Sequence, residues 1–229
     1  SSMTRDGNLY RVDLRLRPHG KNGPIVTTEL AFEEYIEKDA SIWELLAYGQ
    51  LREIKTGPAS RGGVEASLRD VLTKRLGREN AETIRSEART MRLRLEKKYG
   101  SFAGERDVDI KFGPGGLLDV YFIVRCLHLL HFDIVANELR STRGRLVALS
   151  ELGLISAENF ESLLSGHAFL SELEHNIRLI LGRSSRFPRA NSKALQHIAS
   201  RMNYDSVKDL TENLTVHRLN IRSAFDDIL

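Results

Sequence analysis

One carboxylate in this chain sits in a row of arginines. From Asn8 to Arg17 the sequence NLYRVDLRLR alternates, with Leu9, Arg11, Asp13, Arg15 and Arg17 on one face and Tyr10, Val12, Leu14 and Leu16 on the other. Strict alternation predicts a β-strand with one apolar side. Same-face side chains two residues apart stand ~7 Å from each other, so Asp13 lies within reach of Arg11 and Arg15. Such a row suits a phosphate-bearing ligand with a metal ion. It equally suits an edge strand guarded by charge against unwanted pairing. Other chemistry-bearing types are sparse. His167 and His175 lie eight apart with Glu174 beside the second, but no i, i+4 histidine pair or cysteine pair accompanies them, so ordinary core or surface histidines are the expectation. The single Cys126 lies in the most apolar helix candidate and reads as a packed small hydrophobe.

The elements that must position these residues are mostly helical. Asp109 to His131, DIKFGPGGLLDVYFIVRCLHLLH, combines a short strand-like run at Ile110 and Phe112, a break at Gly113-Pro114-Gly115-Gly116, and a helix over 117–131 that is apolar most of the way round. Helices of that kind are buried, and this one is expected as the central rod of a bundle. Before it, Ile25 to Thr28 could pair as a short strand. Thr27 or Thr28 can cap a helix to Lys38, and Ser41 a second over 42–55 with Trp43, Leu46, Ala47 and Leu51 inward. Helical patterns follow over 60–77 and 80–99. The latter has a narrow stripe of Ile84, Ala88, Met91 and Leu95, with Arg85, Arg89, Arg92 and Arg94 read as a solvated face. Gly100 to Arg106 reads as an internal hinge. Beyond the rod, helices are expected over 146–152, 156–182, 192–202 and 206–229, with a basic loop at 183–188.

Bulk properties bound the function. With 229 residues, 41% hydrophobic and 28% charged, wholesale disorder is excluded. A lone cysteine precludes an intramolecular disulfide and implies a reducing compartment. With no signal-peptide pattern at Ser1-Ser2-Met3, a cytoplasmic location is expected. The rod is too short and too interrupted to span a bilayer, which takes about 20 apolar residues. The excess of 34 basic over 31 acidic side chains is too small to argue for nucleic acid.

The run Tyr10-Arg11-Val12-Asp13-Leu14-Arg15-Leu16-Arg17-Pro18, followed by Gly20, Gly23-Pro24, Tyr35, Trp43-Glu44 and Arg52, resembles the glutamine synthetase adenylyltransferases. Asp109-Ile110-Lys111, Gly115-Gly116, Asp119, Phe122-Ile123-Val124 and Leu173-Glu174-His175 continue the likeness in order, across nearly the whole chain. The resemblance implies a polymerase-β-type nucleotidyltransferase domain followed by a helical bundle. The expected fold is therefore mainly α, with a small β remnant of the nucleotidyltransferase domain over residues 1–38 and the bundle over 39–229. The family reaction is transfer of AMP from ATP to a tyrosine of glutamine synthetase, or phosphorolytic removal of that AMP. Three family carboxylates hold two Mg ions, which stabilise the attacking and leaving oxygens at phosphorus. Asp13 matches the third; Arg15 and Arg17 become candidates for the nucleotide phosphates.

The first two family carboxylates come from a segment upstream of the VDLRLRP strand, and nothing among the twelve residues before Asp13 matches it. The resemblance thus implies the C-terminal part of one catalytic half, with a lean towards the adenylyl-removing one, and no transferase activity or lasting Mg and ATP binding by this chain alone. Trp43, Glu44, Arg52, Lys111, Gly115, Gly116 and Asp119 are supporting motif positions. For Glu44 and Arg52 an ion pair or capping contact within the bundle is the economical role. The chain departs from the family after the glycine pair, where Tyr121 replaces the usual glutamate and Arg125 the usual glutamine. That departure favours the alternative of a non-catalytic helical module binding glutamine synthetase or a PII-type regulator. A basic nucleic-acid binder is a distant third and would have to lose affinity steeply with salt.

Overall fold

The computed structural model describes residues 3–4, 7–8, 16–53, 64–100, 108–132, 141–182 and 185–229. The chain divides into two compact units, Ser1–Glu79 and Asn80–Leu229. Among the described residues there are nine α-helices and two small antiparallel sheets, which makes the protein mainly helical. None of those helices is long and apolar enough to cross a membrane.

In the first unit, β1 (Met3–Thr4) pairs with β2 (Gly7–Asn8). Most of the expected strand over 8–17, with Asp13 and Arg15, lies outside the described residues. Leu16 and Arg17 already belong to a turn that leads into a single 3-10 turn at Gly20–Asn22. Ile25 to Thr28 form no strand; Ile25 and Val26 are 72% and 83% exposed. With no ladder partner beside them, β-branched residues alone do not make a strand. Helix α1 (Glu29–Lys38) starts at Thr28, whose hydroxyl accepts the Ala31 amide at 3.2 Å.

Helix α2 (Ile42–Tyr48) is half the expected length. It stops at Gly49, where Gln50 and Leu51 bond back three residues, to Ala47 and Tyr48, and tighten the last turn. Ile42, Leu45 and Leu46 take the inward face, leaving Trp43 40% exposed against expectation. Helix α3 (Val64–Leu76) packs on α1 through Leu68 and Leu72.

The second unit is built around α5. Helix α4 (Ala81–Tyr99) is capped by Asn80, and β3 (Val108–Asp109) follows. Helix α5 (Leu117–Leu130) has ten buried residues. Helix α6 (Thr142–Glu151) is capped by Ser141 and α7 (Ala157–Leu181) by Ser156. Strand β4 (Arg186–Phe187) pairs with β3, Val108 opposite Phe187. Part of the expected basic loop is thus a ladder, because Phe187 is fully buried and draws the chain inward. Helices α8 (Ser192–Arg201) and α9 (Val207–Ile228) close the unit, capped by Asn191 and Ser206. As expected of a rod, α5 touches α4, α6, α7 and α9. Helix α7 meets α9 where Gly166 leaves room for Ile221, whose side chain a Cβ would strike.

Candidate functional site

Two constellations hold the motif residues, one in each unit. In the first, the chain between Leu16 and Gly23 is a closed loop. The guanidinium of Arg17 donates from Nε to the Gly23 carbonyl at 3.0 Å and from Nη2 to the Lys21 carbonyl at 3.1 Å. His19 takes a left-handed conformation, φ 60°, and the Gly20 amide bonds the Arg17 carbonyl at 2.9 Å. Gly23 approaches so closely that a Cβ there would fall on the Pro18 carbonyl. Arg17 thus closes its own loop with two of its donors, a role that the alternating pattern did not suggest.

Glu44 sits beside this loop, 7% exposed. Its Oε2 accepts the Ser41 amide at 3.0 Å and the Ser41 hydroxyl at 2.7 Å, and its Oε1 accepts the Tyr35 hydroxyl at 2.7 Å. The capping contact expected for Glu44 is therefore present. Arg52 is exposed and lies past the end of α2, so it shares no helix with Glu44. Burial raises the Tyr35 hydroxyl pKa first, and Glu44 adds to it. That hydroxyl stays a donor at neutral pH.

In the second unit the break before α5 is a knot of hydrogen bonds. The run Ile110 to Gly116 is a series of turns, and the strand residues are Val108–Asp109, just upstream of the expected Ile110 and Phe112. The reason is Asp109, whose Oδ1 accepts the Lys111 and Phe112 amides at 2.9 and 2.8 Å and bends the chain there. Its Oδ2 accepts the Ser185 hydroxyl at 3.0 Å. Gly115 has φ +67°, and a Cβ on it would overlap the Arg218 carbonyl, so only glycine fits. The Leu117 and Leu118 amides bond the carbonyls of Ile110 and Lys111 at 3.0 and 3.1 Å. Those donors at the start of α5 are therefore spent on the protein's own backbone, not open to a phosphate.

Asp119, on the first turn of α5, is fully buried. Its Oδ2 accepts the Gly115 amide at 2.7 Å, and Arg92 Nε lies 2.5 Å from its Oδ1. Arg92 is also fully buried; its Nη2 donates to the Gly113 carbonyl at 2.9 Å and its Nη1 lies 3.3 Å from Glu96. Arg222 of α9 stands 2.9 Å from Glu96 and 3.6 Å from Asp119. Arg218 clasps the Pro114 carbonyl with Nε and Nη2. Burial pushes the Asp119 carboxyl above its ordinary range, against the pull of Arg92, the Gly115 amide and Arg222.

This arrangement fastens α4, the glycine corner, α5 and α9 together. It brings Gly115, Gly116 and Asp119 into one cluster. The Lys111 amine lies 5.6 Å from the Phe112 ring centre. Tyr121 meets His167 of α7 edge-on at 5.9 Å, and Arg125 is exposed.

The solvated reading of Arg92 is overturned, since its side chain is fully buried. A signal for it did exist: Arg92 falls four residues after Ala88 and eight after Ile84, in line with the inward stripe. The same count reaches the others: Glu96 falls eight after Ala88, and Arg218 and Arg222 fall four and eight after Leu214. Among the described residues no group of three or more His, Cys, Asp or Glu could hold a metal ion. Asp13, the expected Mg ligand, lies outside them.

Residues 79–229 match the family model described as GlnD PII-uridylyltransferase. The chain belongs to that family. The match begins where the second compact unit begins, and residues 1–60 match a second model, glutamate-ammonia ligase adenylyltransferase. Whole-chain relatives include proteins named bifunctional glutamine synthetase adenylyltransferase/adenylyl-removing enzyme. Those of Neisseria meningitidis serogroup A and Caulobacter vibrioides are each 30% identical over all of this chain, and that of Nitrosomonas europaea is 28% identical. The chain covers 25%, 23% and 24% of their lengths respectively. The resemblance to the glutamine synthetase adenylyltransferases carried by the motifs is thereby borne out, and the chain spans about a quarter of the curated relatives it matches.

Proposed function

We propose that this chain is the helical module that follows the catalytic strands in one half of a glutamine synthetase adenylyltransferase/adenylyl-removing enzyme. Residues 1–38 are read as the end of a polymerase-β-type nucleotidyltransferase domain and 39–229 as the bundle behind it. The whole enzyme would transfer AMP from ATP to a tyrosine of glutamine synthetase, or remove it by phosphorolysis, in the cytoplasm. The likeness of the last helices to the family leans towards the removing half.

In this reading Asp13 supplies one carboxylate to Mg, and Arg15 faces the nucleotide phosphates. Arg17 is the weaker phosphate candidate, because two of its donors are bound to the Gly23 and Lys21 carbonyls. A single carboxylate does not make a two-metal site, so the chain alone is expected to bind its partner without turnover.

The observation that carries this reading is the match of the whole chain, end to end, to relatives of that name. The test is Asp13→Asn in the full-length protein carrying this chain: loss of one of the two activities, AMP removal if the chain lies in the removing half, is expected, and retained activity in both directions would refute the assignment.

A second reading, a binding module for glutamine synthetase or a PII-type regulator, is favoured by the family model matched over 79–229. It is favoured too by Asp119, which is committed to Arg92 and Gly115 and has no lone pair facing solvent.

A further inference from the structure

Three acids at the glycine corner are committed inward. Asp109 accepts the Lys111 and Phe112 amides and the Ser185 hydroxyl. Asp119 meets Arg92 and the Gly115 amide, and Glu96 meets Arg92 and Arg222. Cations of the same corner are left on the outside. Lys98, in the last turn of α4, is exposed, with its amine 5.0 Å from the Tyr99 ring centre. The Lys111 amine lies beside the Phe112 ring, and the Tyr99 and Phe112 rings meet with centroids 5.2 Å apart. The end of α4 abuts the corner so closely that a Cβ on Gly100 would strike the Phe112 carbonyl. From α9, Arg218 reaches the Pro114 carbonyl. Arg189, exposed two residues past β4, adds a fourth charge. Burial first, then the charge of Arg189, lowers the Arg218 pKa against the opposite pull of Asp119, Asp109 and Glu96. The two guanidinium groups therefore stand close enough to repel.

Stability does not ask for this arrangement. Lys98, Lys111 and Arg189 make no ion pair with any described residue, and the repulsion between Arg189 and Arg218 costs free energy. The helix dipole accounts for a cation at the end of α4, but for none of the other three. Tyr99 keeps 40% of its surface exposed beside these charges. An apolar centre within a charged rim is the anatomy of a protein–protein contact. The two rings are tilted 52° to each other, and a tilted pair in contact offers no parallel slot for a nucleobase.

We propose that Lys98, Tyr99, Lys111, Phe112, Arg189 and Arg218 form a docking surface for an acidic segment of a partner protein. Carboxylates of that segment meet the four cations, and one of its apolar side chains lies on the ring pair. This rests on the reading of the bundle as a module that binds glutamine synthetase, and adds the face it uses and the chemistry it selects. Rim charges set the rate of encounter and the choice of partner. Binding should therefore weaken as salt shortens the screening length from about 10 Å at 0.1 M to about 3 Å at 1 M.

The test is calorimetric binding of this chain to purified glutamine synthetase, with and without an excess of a synthetic peptide of four glutamates around one phenylalanine. The peptide should displace glutamine synthetase, and its counterpart with glutamine for glutamate should not. Lys111→Glu and Arg189→Glu should each weaken both interactions about ten-fold, and Lys111→Gln should weaken them less. Lys208→Glu makes the same charge change about 15 Å along α9 from Arg218, and should stay within about two-fold of the parent. Melting temperatures should match the parent, because these side chains are exposed or half-buried.

If glutamine synthetase binds the parent, Lys111→Glu and Arg189→Glu alike, the surface is wrong and the module reading stands. If it does not bind the parent, the module reading falls and takes this inference with it. Losses equalled by Lys208→Glu would mark net charge alone and overturn the surface. Displacement by an oligothymidylate or by anionic phospholipid vesicles as effective as by the acidic peptide would overturn it too, because any polyanion would then serve.

Discussion

Replacing Asp119 by leucine tests the buried ion cluster at the glycine corner. The substitution leaves Arg92 fully buried with Glu96 at 3.3 Å as its nearest carboxylate, and strips the Gly115 amide of its acceptor. Removing one partner of a buried ion pair costs about 3 to 5 kcal/mol, and an orphaned buried donor costs about 1 to 3 kcal/mol. These losses overlap and Glu96 offsets part of them, so about 4 kcal/mol is expected for Asp119→Leu. Because two compact units make a single unfolding curve ambiguous, hydrogen exchange at the α5 amides is the better assay. At 1.4 kcal/mol per tenfold, exchange of the slowest α5 amides should speed up by roughly a thousand-fold. Arg92→Met with Asp119→Leu removes both charges and should recover about half of that loss, since a buried pair replaced by apolar groups is close to neutral. An Asp119→Leu protein within about 1 kcal/mol of the parent, or a double variant whose loss is the sum of the singles, would refute the cluster as the fastening of this unit.

Gly115→Ala meets both a positive φ and the Arg218 carbonyl, and should cost at least about 3 kcal/mol. Gly153→Ala has the same φ class with open space around it and should cost only about 1 to 2 kcal/mol; chemical denaturation of both variants separates collision from strain. Burial lowers the pKa of His167 and of His217, so the folded state favours the neutral rings. Their contribution is complete above the unfolded value near 6.5 and is lost as pH falls through it towards the folded values. Melting temperature should therefore drop between pH 7.5 and pH 5, and His217→Phe, which keeps the stacking on Phe169 at 4.6 Å, should flatten that slope. Cys126 is buried, and burial pushes its thiol up to about 12. Iodoacetamide at pH 8 should leave it unmodified in the native protein and alkylate it in urea, as mass spectrometry would show.

Local signals in the sequence carried far. Thr28, Asn80, Ser156 and Ser206 each stand before an apolar periodic run, and each caps a helix because its side chain accepts an orphan amide. The rod at 117–130 was legible from its apolar circumference, and Gly113 to Gly116 from their breaking chemistry. What depended on distant partners was not legible. The register of Arg92 on the inward stripe was readable, but its partner Asp119, 27 residues later, was not. Arg17 reads as a ligand-facing cation until the loop to Gly23 closes under it. Helix α2 carries apolar residues past Tyr48, but the Gly49 turn ends it early. For the candidate site, the motif singled out Glu44 and Asp119; a capping role for Glu44 was foreseen, and only the fold revealed that Asp119 braces the glycine corner.

The most direct measurement of the central claim is calorimetric titration of this chain with purified glutamine synthetase in Mg and ATP, with the glutamine synthetase then weighed by mass spectrometry. The account predicts saturable binding and no AMP gained or lost. Catalytic turnover by the chain alone, or no binding at all, would contradict it.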